Sequence, residues 1–181
     1  MNTIPGELQE VYSEGYNTNT WFDRTFVRPY KDVVYISANP MINSKGIDSR
    51  QLRSLFAPRA RKKAPQLFKK IVDVWDYGWD WNVGTVLPET VNETVKEYQS
   101  QKRKIIHYLQ PHHPYLKGEG VEGYLNNLKL VLSKVKEIFP FVTFPVIITS
   151  DHGESLGDIG RIGDHGFDHP LLHRVPWLVV K

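Results

Sequence analysis

The chain has 181 residues, with 23 lysines and arginines against 20 acidic residues and a formal charge of +3 at pH 7. This length is enough for one domain with a sizeable core. The balance of 40% hydrophobic and 24% charged residues excludes a disordered or low-complexity chain. There is no cysteine, which excludes disulfides, thiolate zinc sites and a cysteine nucleophile. Any bound metal must therefore use histidine and carboxylate ligands.

The N-terminal segment carries no targeting signal. Residues 1–15 have neither a basic start nor an apolar core, and no window reaches the apolar length of a membrane span. We therefore expect no signal peptide and no membrane span, and a cytoplasmic location. Oligomeric state has no signature in the sequence.

The predicted elements alternate between strands and helices along the chain. β-branched and aromatic runs predict strands at Asp32–Asn39, Lys69–Gly78, Lys102–Pro111, Phe144–Ser150 and Arg174–Val180. Apolar residues at helical spacing predict a helix that Pro88 opens and a second over Val121–Phe139. Strands separated by helices favour an α/β fold, with one mainly parallel sheet sandwiched by helices in a single domain spanning residues 1–181.

Polar side chains follow three of these strands. Asn39 comes after the first strand, the "QPHHPY" segment (Gln110–Tyr115) after the third, and "SDHGES" (Ser150–Ser155) after the fourth. In open parallel sheets the functional site lies beyond the carboxyl ends of the strands. We therefore expect these groups to meet at one edge of the sheet.

Asp151 and His152 are the strongest candidates for metal ligands. A carboxylate oxygen and an imidazole nitrogen together suit zinc, manganese or a similar divalent ion. Both can reach one ion only if the chain bends after the strand, and Gly153 can provide that bend. In the alternative interpretation, Asp151 caps a turn and His152 is a surface histidine.

A glycine-rich polar loop follows these residues and ends at a further strand, which is typical of a site loop. The whole pattern, "TSDHGESLGD", then the loop, a His-Pro pair and "RVPWLVV", resembles the sulfatase-like hydrolases of the alkaline phosphatase superfamily. The segments "HYLQPHHPY" (His107–Tyr115) and "DVVYISANPMINS" (Asp32–Ser44) are similar to the same proteins. The resemblance extends from about Val11 to the end of the chain.

The resemblance implies roles for individual residues. Asp151 and His152 match the family's late metal ligands, with a divalent ion such as Mn, Zn, Ca or Mg as the cofactor. Either His169 or His165 matches the loop histidine that contacts the ester oxyanion or a second ion. His112 or His113 would contact the transferred group. His107, inside an apolar run, is more typical of a core residue than of a ligand.

The nucleophile is expected at the start of a helix, where free backbone N–H groups also face the anion. The segment Ser13–Phe26 has the chain order that the resemblance requires, and Thr18 is the first candidate in it, followed by Ser13 and Thr20. Thr18 or Asn19 could equally be a plain helix cap.

One motif of the family has no counterpart. The family begins with an apolar strand that ends in a metal-binding Asp, whereas Met1–Tyr12 shows no strand pattern. We therefore expect an N-terminally incomplete, partial domain. Its activity as a hydrolase or transferase of sulfate or phosphate esters would be weak or absent. The substrate would be a small-molecule, glycan-linked or lipid-linked anionic ester, and no nucleic acid is expected.

A second hypothesis is an inactive binding protein of the same fold that holds an anionic polymer. The polymer would contact either a basic cluster or a row of aromatic residues. The basic cluster comprises Arg50, Arg53, Arg59, Arg61, Lys62, Lys63, Lys69 and Lys70, and the aromatic row comprises Trp75, Tyr77, Trp79 and Trp81. A solvated basic face and core packing of the aromatic residues are the simpler interpretations.

Overall fold

The computed structural model describes residues 4–46 and 64–181 as a mixed α/β structure. Its strands are β1 (Glu7–Tyr12), β2 (Tyr30–Ser37), β3 (Phe68–Asp73), β4 (Trp79–Asp80), β5 (Thr85–Val86), β6 (Arg103–His107), β7 (Val146–Thr149) and β8 (Arg174–Val180). Its helices are α1 (Thr18–Thr25), α2 (Ala64–Leu67), α3 (Val74–Gly78), α4 (Pro88–Glu97), α5 (Gly120–Glu137) and α6 (Pro170–His173).

A parallel sheet in the order β3-β2-β6 forms the centre of the molecule. Side chains alternate between the two faces of β2, because successive residues of a strand point in opposite directions. Val34 and Ile36 pack with α4, while Val33 and Tyr35 pack with Phe22 of α1. Helices therefore cover both faces of this sheet, and its carboxyl edge is left for polar groups.

The prediction of one mainly parallel sheet is confirmed only for these three strands. β7 and β8 pair antiparallel, and β8 also pairs antiparallel with β1 to give a separate sheet in the order β1-β8-β7. β4 and β5 form a short hairpin. Apolar runs predict where strands lie along the chain. They do not predict which strands pair or whether a pair is parallel or antiparallel.

β1 corrects the expectation that Met1–Tyr12 contains no strand. Most of its side chains are exposed, so the segment lacks the apolar pattern of a buried strand. It is an edge strand, stabilised by its ladder with β8 from Glu7↔Val179 to Tyr12↔Arg174. The partner strand lies far away in the sequence, since Arg174 and Glu10, which are in contact, are 164 positions apart. Pairing of this kind leaves little trace in the local sequence.

The predicted strand over Lys69–Gly78 is right only for its first half. β3 ends at Asp73 and the chain turns into the short helix α3. The row of alternating aromatic residues is therefore not one face of a strand. Trp75 is buried at 7% exposure, whereas Trp81 is 88% exposed.

The predicted helices are confirmed at α4 and α5, with Pro88 at the first position of α4. In residues 4–46 and 64–181, no helix is both long and apolar enough to cross a membrane. Of the basic cluster, only Lys69 and Lys70 lie within the described residues, where Lys69 donates to Gln101 and Lys70 to the Tyr98 hydroxyl.

His173 joins the end of β1 to the start of β8. Its Nδ1 donates to the Ser13 carbonyl at 2.9 Å, and its Nε2 lies 2.8 Å from Asp168 Oδ1. The backbone hydrogen bond to Ser13, and then the Asp168 carboxylate, raise the pKa of His173 above its usual value. Both nitrogens can donate at once only in the imidazolium form.

This contact predicts a pH-dependent contribution to stability. The folded-state pKa lies above the unfolded value of about 6.5, so the contribution is complete below that pH and is lost as pH rises through the folded pKa. In urea unfolding, His173→Gln should lower the free energy of unfolding more at acid than at alkaline pH. This difference between the two pH values should be smaller when His173→Gln is made in an Asp168→Asn protein, which lacks the carboxylate partner. A cost for His173→Gln that does not vary with pH would contradict the prediction.

Candidate functional site

The candidate site lies where β2, β6 and β7 end. β2 ends at Ser37, two residues before Asn39, β6 ends at His107, and β7 is followed by Ser150 and Asp151. The first turn of α1 faces the same region, because Thr18 contacts Asp151 directly. The sequence predicts that these polar groups meet at one edge of a single parallel sheet. Asn39 and His107 do follow strands of the parallel sheet, but Asp151 follows β7 of the antiparallel sheet, so the groups meet where two sheets end.

Thr18 is the first residue of α1, and Asn17 is its N-cap. The Asn17 side chain accepts from the Thr20 backbone N–H, and the Thr20 hydroxyl reaches back to the Asn17 backbone, which forms a capping box. With the cap provided by its neighbours, the Thr18 hydroxyl is free for another partner. It donates to Asp151 Oδ2 at 2.7 Å, and Asn39 Nδ2 lies 3.5 Å from the same hydroxyl oxygen.

The two alternative nucleophiles have other hydrogen bonds. The Ser13 hydroxyl donates to the backbone carbonyl of Asp151, and Thr20 is used in the capping box. Of the three, only Thr18 donates to a carboxylate. At 7% exposure it lies at the floor of the site.

Asp151 is held from several sides. Its Oδ1 accepts the backbone N–H of His152 at 3.1 Å, and its Oδ2 lies 3.6 Å from His152 Nε2 and 3.9 Å from His107 Nε2. Burial alone raises the pKa of Asp151, but the imidazoles of His152 and His107 and the Thr18 hydroxyl lower it, and the net pKa is below its usual value. The side chain is therefore a carboxylate at neutral pH.

Gly153 is required here for space. Its N–H donates to the Leu172 carbonyl at 2.7 Å, and a Cβ at this position would lie 2.6 Å from the Leu171 carbonyl oxygen. Any other residue would push the chain away from α6. Close packing, more than an unusual backbone angle, thus fixes the turn that carries Asp151 and His152.

Two histidines keep their Nε2 atoms free for a cation. His152 Nδ1 lies 2.7 Å from the Gly153 carbonyl, and His165 Nδ1 lies 2.9 Å from the Gly163 carbonyl. A carbonyl can only accept, so Nδ1 carries the proton in both rings and the Nε2 lone pair is available in the neutral imidazole. Backbone carbonyls orient metal-binding histidines in this way.

His112, Glu154 and His165 form a second cluster beside the first. His112 Nδ1 lies 2.9 Å from Glu154 Oε1, and one ligand atom from each of the three residues lies within 4.8 Å of the others. The rings of His165 and His152 are 4.7 Å apart, which makes the two clusters continuous. Burial, and then the His152 and His112 imidazoles, lower the pKa of His165. A cluster of two imidazoles and one carboxylate can hold a divalent cation.

The structure distinguishes between His112 and His113, and between His165 and His169, which remain alternatives in the sequence. His113 is exposed and packs edge-on against Tyr115, while its neighbour His112 turns towards Glu154. His169 is the N-cap of α6, where its Nδ1 accepts the Leu171 N–H, while His165 lies against His152. His112 and His165 are thus in the site, and the described contacts of His113 and His169 lie elsewhere.

Sequence reasoning missed Glu154 and placed His107 in the core. Glu154 stands inside the quoted "SDHGES" segment, but its partner His112 is 42 positions away. His107 packs against Trp21 and Tyr35, as a core residue would, yet one nitrogen faces Asp151. Only the three-dimensional arrangement reveals either role.

No family model, no curated protein and no solved structure matches this chain. The likeness to sulfatase-like hydrolases is therefore carried by the quoted residues alone.

Asn127 of α5 holds the turn that carries His112. The side chain is 1% exposed, its Oδ1 accepts the Leu116 N–H at 3.0 Å, and its Nδ2 lies 3.1–3.4 Å from the carbonyls of Pro111, His112 and Pro114. One amide thus satisfies several backbone groups of the turn.

Replacing this amide should loosen the turn and destabilise the fold. Asn127→Leu keeps the volume but leaves buried backbone groups unpaired, so we expect a loss of more than about 2 kcal/mol in the free energy of unfolding. The measurement is urea unfolding. The control is the neighbouring Asn126→Ala, which loses one hydrogen bond to Lys117 and should cost less than about 1 kcal/mol. Equal losses in the two variants would contradict this role for Asn127.

Proposed function

We propose that this protein is a metal-dependent hydrolase or transferase that acts on sulfate or phosphate esters. The observation that carries the proposal is the hydrogen bond from the Thr18 hydroxyl, at the first position of α1, to the Asp151 carboxylate beside His152. A hydroxyl, a carboxylate and an imidazole with a free Nε2 are the components of a metal-assisted nucleophile. The proposal includes an alkaline-phosphatase/sulfatase-like arrangement for the fold.

The donor set fits a divalent ion. Asp151 and His152 supply oxygen and nitrogen, with Thr18 adjoining them, and His165 is positioned to bind either the ester oxyanion or a second cation. When bound, the ion would lower the pKa of the nucleophile and neutralise charge on the ester oxygens. Zinc and manganese suit this mixture of ligands better than magnesium, which prefers oxygen.

The residues of the chain supply the remaining chemistry. The Thr18 oxygen attacks phosphorus or sulfur and its proton passes to Asp151 Oδ2, the atom to which the hydroxyl already donates. The bond between phosphorus or sulfur and the leaving oxygen breaks as the new bond forms. His112 is oriented through Nδ1 by Glu154, and in its imidazolium form it would give the Nε2 proton to the leaving oxygen. The result is a covalent threonine ester, which water or an acceptor alcohol would then release.

A hairpin beside the site favours an extended substrate. Gln110 donates to Thr85 and to the Val86 carbonyl, which ties the β4–β5 hairpin to the turn of His112. Trp81, at the tip of this hairpin, is 88% exposed. An exposed indole on a hairpin tied to the His112 turn is suited to a sugar ring or a lipid-linked group. The same feature supports the second candidate, a binding protein for an anionic glycan.

The test is to trap the covalent intermediate. The metal-stripped protein is reloaded with zinc or manganese and incubated with p-nitrophenyl phosphate or p-nitrophenyl sulfate, and intact mass and peptide mapping locate the adduct. We expect a phosphoryl or sulfuryl group on Thr18 that requires the metal and is lost in Thr18→Val and Asp151→Asn. The intermediate is the preferred readout because the resemblance predicts weak turnover.

Thr25→Val is the matched control, because Thr25 lies on the same helix and its buried hydroxyl has no hydrogen-bond partner among the described residues. It should form the adduct as the wild type does. An adduct on another residue, or none with either ester, would contradict the proposal. Glycan binding that needs Trp81 but neither metal nor Asp151 would then favour the binding protein.

A further inference from the structure

Tyr35 and His107 form a buried pair directly behind Asp151. Tyr35 of β2 is fully buried, and its hydroxyl lies 2.8 Å from His107 Nδ1 at the end of β6. On the other side of the same ring, Nε2 faces Asp151 Oδ2 at 3.9 Å. The two nitrogens of His107 thus connect a phenol to the carboxylate that receives the Thr18 hydroxyl.

The hydrogen bond between Tyr35 and His107 can have either direction. If His107 Nδ1–H donated, the Tyr35 O–H would have no acceptor, because no other partner for this hydroxyl exists among the described residues. The Nε2 lone pair would also face the negative Oδ2 of Asp151. If Tyr35 donates, the phenol is satisfied and Nε2 carries a proton that points at the carboxylate. The second arrangement gives the buried phenol an acceptor and turns an N–H, instead of a lone pair, towards the carboxylate 3.9 Å away.

The protonation states of the two residues agree with this direction. Burial raises the pKa of Tyr35 well above its usual value, so the phenol keeps its proton. An imidazolium ring would donate from Nδ1 as well and leave the buried Tyr35 O–H without an acceptor among the described residues, so the geometry favours a His107 ring with a single proton. A neutral imidazole carries its proton on either Nδ1 or Nε2. A hydrogen bond donated by the Tyr35 hydroxyl to Nδ1 leaves the proton on Nε2.

We propose that Tyr35 fixes His107 in the Nε2–H tautomer and that His107 is a positioning residue for Asp151. The Nε2–H group attracts Oδ2 and holds the carboxylate in the orientation in which it accepts the Thr18 hydroxyl and presents itself to a cation. The Trp21 ring lies edge-on to the imidazole, with 6.0 Å between the ring centroids. Part of this inference, the role of Asp151 towards a cation, rests on the proposed function. The tautomer does not.

Sheet register explains why these residues can act together. In the parallel ladder between β2 and β6, Tyr35 pairs with Ile105 and Ser37 pairs with His107. Tyr35 therefore lies two residues before the pairing partner of His107 and on the same face of the sheet. The rigid ladder sets the distance between phenol and imidazole, and neither side chain depends on a loop.

The first experiment is long-range ¹H–¹⁵N NMR of the histidine rings in the metal-free protein. We expect His107 to show the shifts of the Nε2–H tautomer in the wild type and a mixture with the Nδ1–H form in Tyr35→Phe. The control is Tyr108→Phe, which removes another partly buried phenol, hydrogen-bonded to Asn92 at 2.7 Å, and should leave the His107 shifts unchanged. An Nδ1–H tautomer in the wild type, or an unchanged tautomer in Tyr35→Phe, would overturn the inference even if Asp151 binds metal.

The second experiment measures the effect on Asp151. Cobalt(II) is added to the metal-free protein as a spectroscopic probe. Its visible absorption spectrum reports the geometry of the ligands around the ion. We expect Tyr35→Phe and His107→Leu to change the spectrum and to weaken cobalt binding about 10-fold or more, as outer-layer substitutions at metal sites do.

His107→Gln should restore most of the affinity, because its amide can donate to Asp151 from the position of Nε2. Equal affinity in the wild type, His107→Leu and His107→Gln would refute the positioning role. No cobalt binding in the wild type would contradict the proposed function instead, while leaving the tautomer assignment intact.

Discussion

The hydrogen bond between Thr18 and Asp151 joins parts of the chain that are 133 positions apart. It brings the first turn of α1 to the segment that follows β7, two segments that no strand pairing within residues 4–46 and 64–181 joins directly. A carboxylate that accepts a hydroxyl inside a largely buried site is stabilised more than the same pair in water, because the local dielectric is low. The pairing therefore fixes the geometry of the site and helps to keep the helix in place on the sheet.

Around this bond lies a continuous set of polar groups, which runs from the buried Tyr35 to the exposed side chain of His112. Tyr35, His107, Asp151 and Thr18 form one row, and His152, His165, His112 and Glu154 form the next. Burying such groups is costly unless each has a partner. Backbone carbonyls at Gly153 and Gly163 orient two of the rings, and Glu154 orients a third. Nε2 of each of these three rings has no hydrogen-bond partner among the described residues, so it can bind a cation as a neutral imidazole or donate to an anion as an imidazolium ion.

Much of the site could be predicted from local sequence because its residues stand at element ends. Asp151 and His152 follow a clear β-branched run, and Thr18 is the first residue of a helix, as a nucleophile at a helix start requires. What escaped prediction depends on distant partners. Glu154 matters through His112, and β1 exists through β8. The choice between His165 and His169 also depends on the path of the loop in three dimensions, because either histidine has a spacing in the sequence that could bring it back to the site. The parallel core followed from alternation of strands and helices, whereas the antiparallel sheet did not, because strand direction has no local signature.

The central claim is that Asp151 and His152 bind a divalent cation beside Thr18. The most direct measurement is a crystal structure of the zinc-soaked protein with anomalous data at the zinc edge. The account predicts an anomalous peak about 2.0–2.2 Å from an Asp151 oxygen and from His152 Nε2, adjoining the Thr18 hydroxyl. A well-ordered site with zinc bound only at other residues, or with no anomalous peak between Asp151 and His152, would contradict it.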